Sequence, residues 1–124
     1  MSGMGRALRV ADYVDHMLEA VRPARAYVAG TEKGDFLVDR KTQQAVIFNV
    51  FVIGEAATKL CNEHAEFVAA HSEIPWKQMR GMRNRMAHGY FEIDLDIVWD
   101  TVRQALPELE QQLGTLRQEF DPGA

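Results

Sequence analysis

The segment from Arg83 to Tyr90 holds a fixed cation, a titratable imidazole and a phenol within eight residues. Arg83 offers a planar fork of donors that suits phosphate oxygens. His88 titrates near neutral pH, so it can accept or donate a proton. These are the groups needed to bind a phosphodiester and to move a proton beside it. Arg83 and His88 are therefore our candidate catalytic pair.

The segment belongs to a basic island on an acidic chain. Residues 74–91 carry Lys77, Arg80, Arg83 and Arg85 and no acid, whereas the whole chain has a net charge of −4. This contrast indicates a local anion site and not a generally basic surface. The acidic balance argues against bulk, charge-driven binding of nucleic acid, but it is compatible with a small catalytic site for RNA.

The spacing of Arg83 and His88 leaves two interpretations open. In an unbroken helix, a five-residue step turns the two side chains about 140° apart. If the helix ends at residue 87 or 88, with Gly89 in a left-handed conformation, His88 can turn toward Arg83. Alternatively, the arginines are solvated surface residues and His88 caps the helix through its dipole. Spacing alone favours the second interpretation.

The first elements that must position these residues are predicted to be helical. Apolar residues recur at helical spacing from Val10 to Val21. Pro23 is expected to kink or interrupt this helix, and Gly30 to end its continuation.

A central helix is predicted next. Residues 31–38 form a connector with one short helix, which Thr31 or Asp35 could cap. Residues 42–62 are apolar on nearly all sides, which predicts a helix buried on more than one face. Glu55 lies within this apolar run, and because burying an unpaired carboxylate is costly, an arginine or a backbone donor should meet it.

The C-terminal half predicts two further main helices. Residues 72–76 begin one, with proline in its first turn, and Gly89 ends it. Asp94 or Asp96 begins the last helix, which Pro107 should bend. The predicted fold is therefore an all-α antiparallel bundle of four to five main helices.

Length and composition place the chain among single-domain cytoplasmic proteins. Its 124 residues predict one domain over 1–124, with about 1–7 and 118–124 flexible. A single cysteine, Cys61, excludes an internal disulfide and favours the cytosol. We find no apolar run near the roughly 18 residues of a membrane helix, so we predict no membrane association.

The sequence predicts no metal and no cofactor. His16, His64 and His71 stand at none of the usual metal-ligand spacings, and no cysteine pair is present. Asp96 and Asp100 could hold a divalent ion, but acids in a first helical turn are more often partners of the helix dipole.

Read as R-x4-H-x-Y, the segment from Arg83 to Tyr90 resembles the signature of the HepT-like toxins of the HEPN superfamily. The resemblance extends from about residue 8 to 116 and outweighs the preference drawn from spacing alone. Gly89 departs from the acidic or polar residue often found at that variable slot. Further similar segments, in the family's order, are 12–14, 39–43, 53–57, 74–76 and 93–99.

The resemblance implies a HEPN-like bundle that acts as a homodimer, with the two motifs meeting in a composite cleft. It implies a metal-independent endoribonuclease toxin whose substrate is cellular RNA. It also implies a cognate minimal nucleotidyltransferase as antitoxin, which inactivates the toxin by adding AMP to Tyr90.

Chemistry and resemblance together suggest a role for each candidate. The ribose 2′-OH would attack the adjacent phosphate, with His88 as acid or base and Arg83 stabilising the phosphate charge. Asn84 could orient His88 or bind phosphate, and Tyr90 could stack a base. The supporting, RNA-binding candidates are Asn84, Arg80, Arg85 and Tyr90.

Two other functions stay open at this point. The chain could be a non-catalytic HEPN module that binds a nucleotide or a nucleotidyltransferase partner. It could also be a structural dimer in which the cluster around Arg83 only caps a helix.

Overall fold

The computed structural model describes residues 8–89 and 92–120. In these ranges the chain is helical, with no β-strand, which confirms the predicted all-α bundle. The elements are α1 (Val10–Val28), α2 (Lys33–Phe36), α3 (Arg40–Glu63), α4 (Ala65–Ala70), α5 (Trp76–His88), α6 (Leu95–Asp100), a π-helical turn (Thr101–Ala105) and α7 (Leu106–Phe120). Four long members make up the bundle: α1, α3, α5 and the C-terminal unit, in which α6, the π-helical turn and α7 are continuous.

Helix α1 runs through Pro23 without a break, so the prediction of an interruption there is wrong. Proline lacks the N–H that would bond the carbonyl of Glu19, and this loss normally weakens a helix. Here Val21 and Ala24 are buried on both sides of the proline. Tertiary packing therefore holds the backbone helical. The chain turns away after α1, where Gly30 adopts a φ of 74°.

The short helix α2 and the start of α3 differ in how they are capped. Glu32 is the N-cap of α2 and makes no side-chain cap bond, so the predicted caps Thr31 and Asp35 are wrong. Asp39 caps α3, because its carboxylate accepts from the Thr42 backbone N–H at 3.2 Å and from the Thr42 hydroxyl at 2.6 Å. These two bonds hold the pKa of Asp39 below its ordinary value.

Helix α3 is the central helix, with α1 on one side and α5 on another. By length and composition alone it could cross a membrane, so the expectation that no segment is long and apolar enough is wrong for Arg40–Glu63. The core helix of a bundle has the same composition, because both surroundings exclude water from several faces. Seven residues of α3 are buried: Val46, Val50, Ile53, Gly54, Ala56, Ala57 and Leu60.

The closest approach of α3 to α5 is at Gly54. A Cβ placed on Gly54 would collide with Arg83 Cβ and would lie 2.8 Å from the Met79 carbonyl oxygen. Both obstacles belong to the helix itself and cannot swing aside. Only glycine allows α3 and α5 to lie this close, and this contact sets where the two helices meet.

The C-terminal unit packs antiparallel to α1. Arg25 of α1 pairs with Glu110 at 2.6 Å, and Asp15 pairs with Arg117 at 2.7 Å, so the two helices run in opposite directions. The π-helical turn Thr101–Ala105 directly precedes α7, in which Pro107 is the second residue; the predicted bend at Pro107 stays a prediction. A widened turn accommodates a proline that cannot donate a backbone bond.

We expect Gly54→Ala to lower the free energy of unfolding by about 1–3 kcal/mol, because the added methyl group forces α3 away from α5. Urea denaturation followed by circular dichroism measures this change.

Gly114→Ala is the matched control. Gly114 lies inside α7, and a Cβ there meets nothing within 4 Å. Because alanine favours the helix over glycine by about 0.8–1.0 kcal/mol, this variant should gain stability. Equal effects of the two substitutions would contradict the close-contact interpretation of Gly54.

Candidate active site

Helix α5 carries the candidate residues on the side that the core does not cover. Trp76 and Met86 are buried, and the Trp76 indole N–H donates to the His71 carbonyl at 3.0 Å, which anchors the start of the helix. Met79 and Met82 pack against the same core. Arg83 is partly buried against α3, and the other cations of α5 are exposed. The exposed residues of α5 are Lys77, Gln78, Arg80, Asn84, Arg85, Ala87 and His88.

Arg83 is held on three sides. Its Nε donates to Glu55 Oε1 on α3, and its Nη1 donates to Asn84 Oδ1 at 3.0 Å. Its Cζ lies 5.7 Å from the centroid of the Phe51 ring, within range of a cation–π interaction. No hydrogen-bond partner for Nη2 is found within residues 8–89 and 92–120. The guanidinium is thus oriented by protein groups, with donor capacity left for an anion.

The predicted need of Glu55 for a partner is confirmed, and the partner is Arg83. Both side chains are partly exposed, 27% for Arg83 and 38% for Glu55. Sequence reasoning missed Phe51, although a signal for it existed. Phe51 precedes Glu55 by four residues on α3, so both side chains lie on one face of that helix.

His88 is the last residue of α5 and is exposed. Gly89 ends the helix, as predicted, and its N–H donates to the Arg85 carbonyl at 2.8 Å. Its φ is −133°, so Gly89 does not adopt the left-handed conformation that would have let His88 turn toward Arg83. The helix therefore continues through His88, and the full rotation of about 140° separates His88 from Arg83 in one chain.

Asn84 connects the two sides of the helix. It accepts from Arg83, and it lies one turn before His88. Asn84, Arg85 and His88 line a pocket of about 440 Å³ between α5 and the start of α6. Arg83 points instead toward α3. The apolar wall of the pocket consists of Met82, Met86, Ile93, Ile97 and Val98.

Arg80 and Tyr90 are the two remaining candidates from the sequence. Arg80 is exposed on α5, one turn before Arg83. Tyr90 lies outside the residues that the structure describes, so its predicted roles stay predictions.

Two carboxylates, those of Glu92 and Asp94, line the same pocket as His88. Lys33 Nζ pairs with Asp96 at 2.9 Å, and Asp94 caps α6. His64 and His71 bond backbone carbonyls through their rings, at 2.6 and 2.9 Å. Within the described ranges, no group of three or more His, Cys, Asp or Glu side chains is placed to hold a metal ion.

Comparison with known proteins identifies relatives over most of the chain. Residues 17–116 match the profile of the family described as Ribonuclease HepT-like. A Thermococcus cleftensis protein named "Probable ribonuclease HepT" is 37% identical over 86% of this chain and 94% of its own length. A Caldanaerobacter subterraneus protein named "Putative RNase TTE0752" is 34% identical over 86% of this chain and 92% of its own length.

No solved structure matches the chain significantly. The resemblance carried by Arg83, His88 and the ordered segments around them is confirmed by the family match and by both relatives. The chain belongs to the HepT-like ribonuclease family.

Proposed function

We propose that this protein is the toxin of a toxin–antitoxin system and acts as a metal-independent endoribonuclease on cellular RNA. The observation that carries the proposal is the state of Arg83. Its guanidinium is fixed by Glu55, Asn84 and Phe51 and retains donors for an anion. A prepositioned arginine stabilises the charge that develops on a phosphate in the transition state at little reorganisation cost.

The environment of Arg83 supports an anionic, extended substrate. Helix α5 carries Lys77, Arg80, Arg83, Arg85 and His88 and no carboxylate. Arg80 is exposed one turn before Arg83, where it can contact a phosphate flanking the scissile one, and Arg85 lies with His88 on the side toward α6. RNA suits such a row of cations better than a compact anion does.

In the proposed reaction, the ribose 2′-OH attacks the adjacent phosphorus and displaces the 5′-oxygen of the next nucleotide. One imidazole takes the 2′-OH proton, and a proton is returned to the departing oxygen. His88 is proposed for this role because its imidazole is exposed and can either accept or donate a proton. Asn84 lies between Arg83 and His88 and can hold a phosphate oxygen or the imidazole. No step needs a metal or a cofactor.

We further propose that the protein works as a homodimer. A groove of about 500 Å³ on α3 is lined by Ile47, Phe48 and Phe51, with Gln44 and Met86 at its edge, and Phe48 is 65% exposed. Covering a phenylalanine contributes about 1.5–3 kcal/mol, which supports a second copy as the occupant.

A twofold dimer would also complete the site. In a twofold interface the same patch meets itself, so the groove beside Arg83 would face its own copy. Because Phe51 lies both in this groove and against Arg83, the two arginines would flank the interface. A second His88 within reach would let one imidazole act as base and the other as acid. This arrangement compensates for the separation of Arg83 and His88 within one chain.

The proposed antitoxin is a minimal nucleotidyltransferase that adds AMP to Tyr90. The modification would place bulk and negative charge next to the residues that bind phosphate. Repulsion and occlusion would then exclude RNA.

Purified protein is expected to cut RNA in the presence of EDTA and to leave 2′,3′-cyclic phosphate ends, because the nucleophile is the 2′-OH. His88→Ala should lower the rate by about 10²–10⁴-fold, the usual contribution of a general acid or base. Denaturing gels measure the cleavage rate, and mass spectrometry identifies the RNA ends. His16→Ala removes another exposed histidine, on α1, and should keep the wild-type rate.

A requirement for Mg²⁺, or cleavage that survives His88→Ala, would contradict this mechanism. RNA binding without cleavage, together with normal growth during induced expression, would favour the non-catalytic binding module instead.

Incubation with the cognate transferase and ATP is expected to raise the protein mass by one or more AMP groups and to abolish cleavage. Tyr90→Phe should remain unmodified, because it lacks the acceptor oxygen. Intact-protein mass spectrometry makes the test, and labelling that persists in Tyr90→Phe would move the acceptor elsewhere.

Phe48→Glu is expected to convert the dimer to a monomer and to reduce cleavage, because it places a charge in the proposed interface. Val38→Glu is the control, since Val38 is 83% exposed but lies outside the groove. Light scattering coupled to size exclusion measures the mass. A wild-type monomer that cuts RNA at full rate would exclude the dimer proposal.

A further inference from the structure

We propose that Glu55 is a positioning residue for Arg83: it fixes the guanidinium for phosphate binding and weakens, rather than strengthens, the attraction for RNA. This inference rests on the proposed ribonuclease function. It assigns a role to the acidic side chain that pairs with Arg83.

The geometry of the contact determines what Glu55 does. The carboxylate bonds Nε, the nitrogen nearest the aliphatic stem, and leaves the terminal nitrogens to other partners. Asn84 takes one bond from Nη1, and Phe51 lies against the guanidinium. A carboxylate at Nε therefore sets the direction of the fork without occupying the whole of it. The fork then loses less conformational freedom when it binds an anion.

The position of Glu55 depends on the contact between the two helices. Gly54 brings the backbone of α3 against Arg83 and Met79, and Glu55 is the next residue. The carboxylate thus reaches Arg83 from a buried and close-packed part of α3. Such a support is more rigid than one offered by a loop.

The charge of Glu55 opposes substrate binding. A carboxylate beside the arginine repels a phosphate, so it costs affinity in the bound ground state. A group that lowers affinity can still raise the rate if it holds Arg83 where charge develops in the transition state. Removing the charge should therefore separate the two effects, which simple loss of structure would not do.

Glu55→Gln keeps an oxygen that can accept from Nε and removes the charge. We expect kcat to fall about tenfold, in line with the sensitivity of catalysis to small misplacements. We expect KM, and the Kd for a 2′-O-methyl RNA that cannot be cut, to stay equal or decrease. Glu55→Ala, which also removes the acceptor, should lower kcat further.

Asp15→Asn is the matched control. Asp15 accepts from Arg117 Nε, and the two side chains are 39% and 35% exposed, close to the values for Glu55 and Arg83. This pair joins α1 to α7, away from the site. Asp15→Asn should lose as much stability as Glu55→Gln in urea denaturation, with unchanged kcat and KM.

A spectroscopic readout tests the geometry independently of cleavage. In ¹H–¹⁵N spectra, the Arg83 Nε–H should give a resolved, slowly exchanging signal that disappears in Arg83→Lys and broadens in Glu55→Gln. An unchanged signal in Glu55→Gln would overturn the proposal, whether or not the protein cuts RNA.

Failure of the proposed function gives a different pattern. If the wild type cuts no RNA, the ribonuclease proposal fails. The positioning role of Glu55 is then tested by the Arg83 Nε–H signal and by the Kd for the 2′-O-methyl RNA. Weaker binding of that RNA by Glu55→Gln would overturn the inference. If the wild type cuts RNA and Glu55→Gln cuts it at the same kcat, the inference also fails while the ribonuclease proposal stands.

Discussion

The contact between α3 and α5 at Gly54 is the constraint on which the site depends. With no side chain at this position, the two helices approach until their backbones nearly touch. That approach decides which residues of α3 meet which residues of α5. Glu55 reaches the Nε of Arg83, and Phe51, one turn earlier, lies against the same guanidinium. The chemistry of Arg83 is therefore a property of the packing of two helices and not of its own motif alone.

The parts that the sequence could predict are those set by local and periodic patterns. The apolar repeat that begins at Val10 and the long apolar run through Glu55 predicted α1 and α3, and the carboxylate within that run required a partner. Pro23 was mispredicted because packing on both of its sides overrides a local preference. Which arginine pairs with Glu55 could not be predicted, because that depends on the register between two helices.

The backbone conformation of Gly89 could not be predicted from the local sequence. Glycine after a helix is compatible with a left-handed turn, but it also permits the φ of −133° and ψ of 46° found here. The difference matters for the site, because it keeps His88 within the helical rotation. Arg83 therefore faces α3 and His88 faces α6, with Asn84 between them. Residues that are close together in the sequence motif therefore lie on different faces of the helix.

The absence of carboxylates from α5 has a consequence for the mechanics of the bundle. Lys77, Arg80 and Arg83 follow one another at three-residue spacing, where like charges repel, and Gly81 lowers helix propensity by about 1 kcal/mol relative to alanine. As an isolated peptide, α5 would be a poor helix. Its order is imposed by Trp76, Met86 and the contact with α3. A polyanion bound along α5 would relieve the repulsion, so such a ligand and the fold would stabilise each other through the same helix.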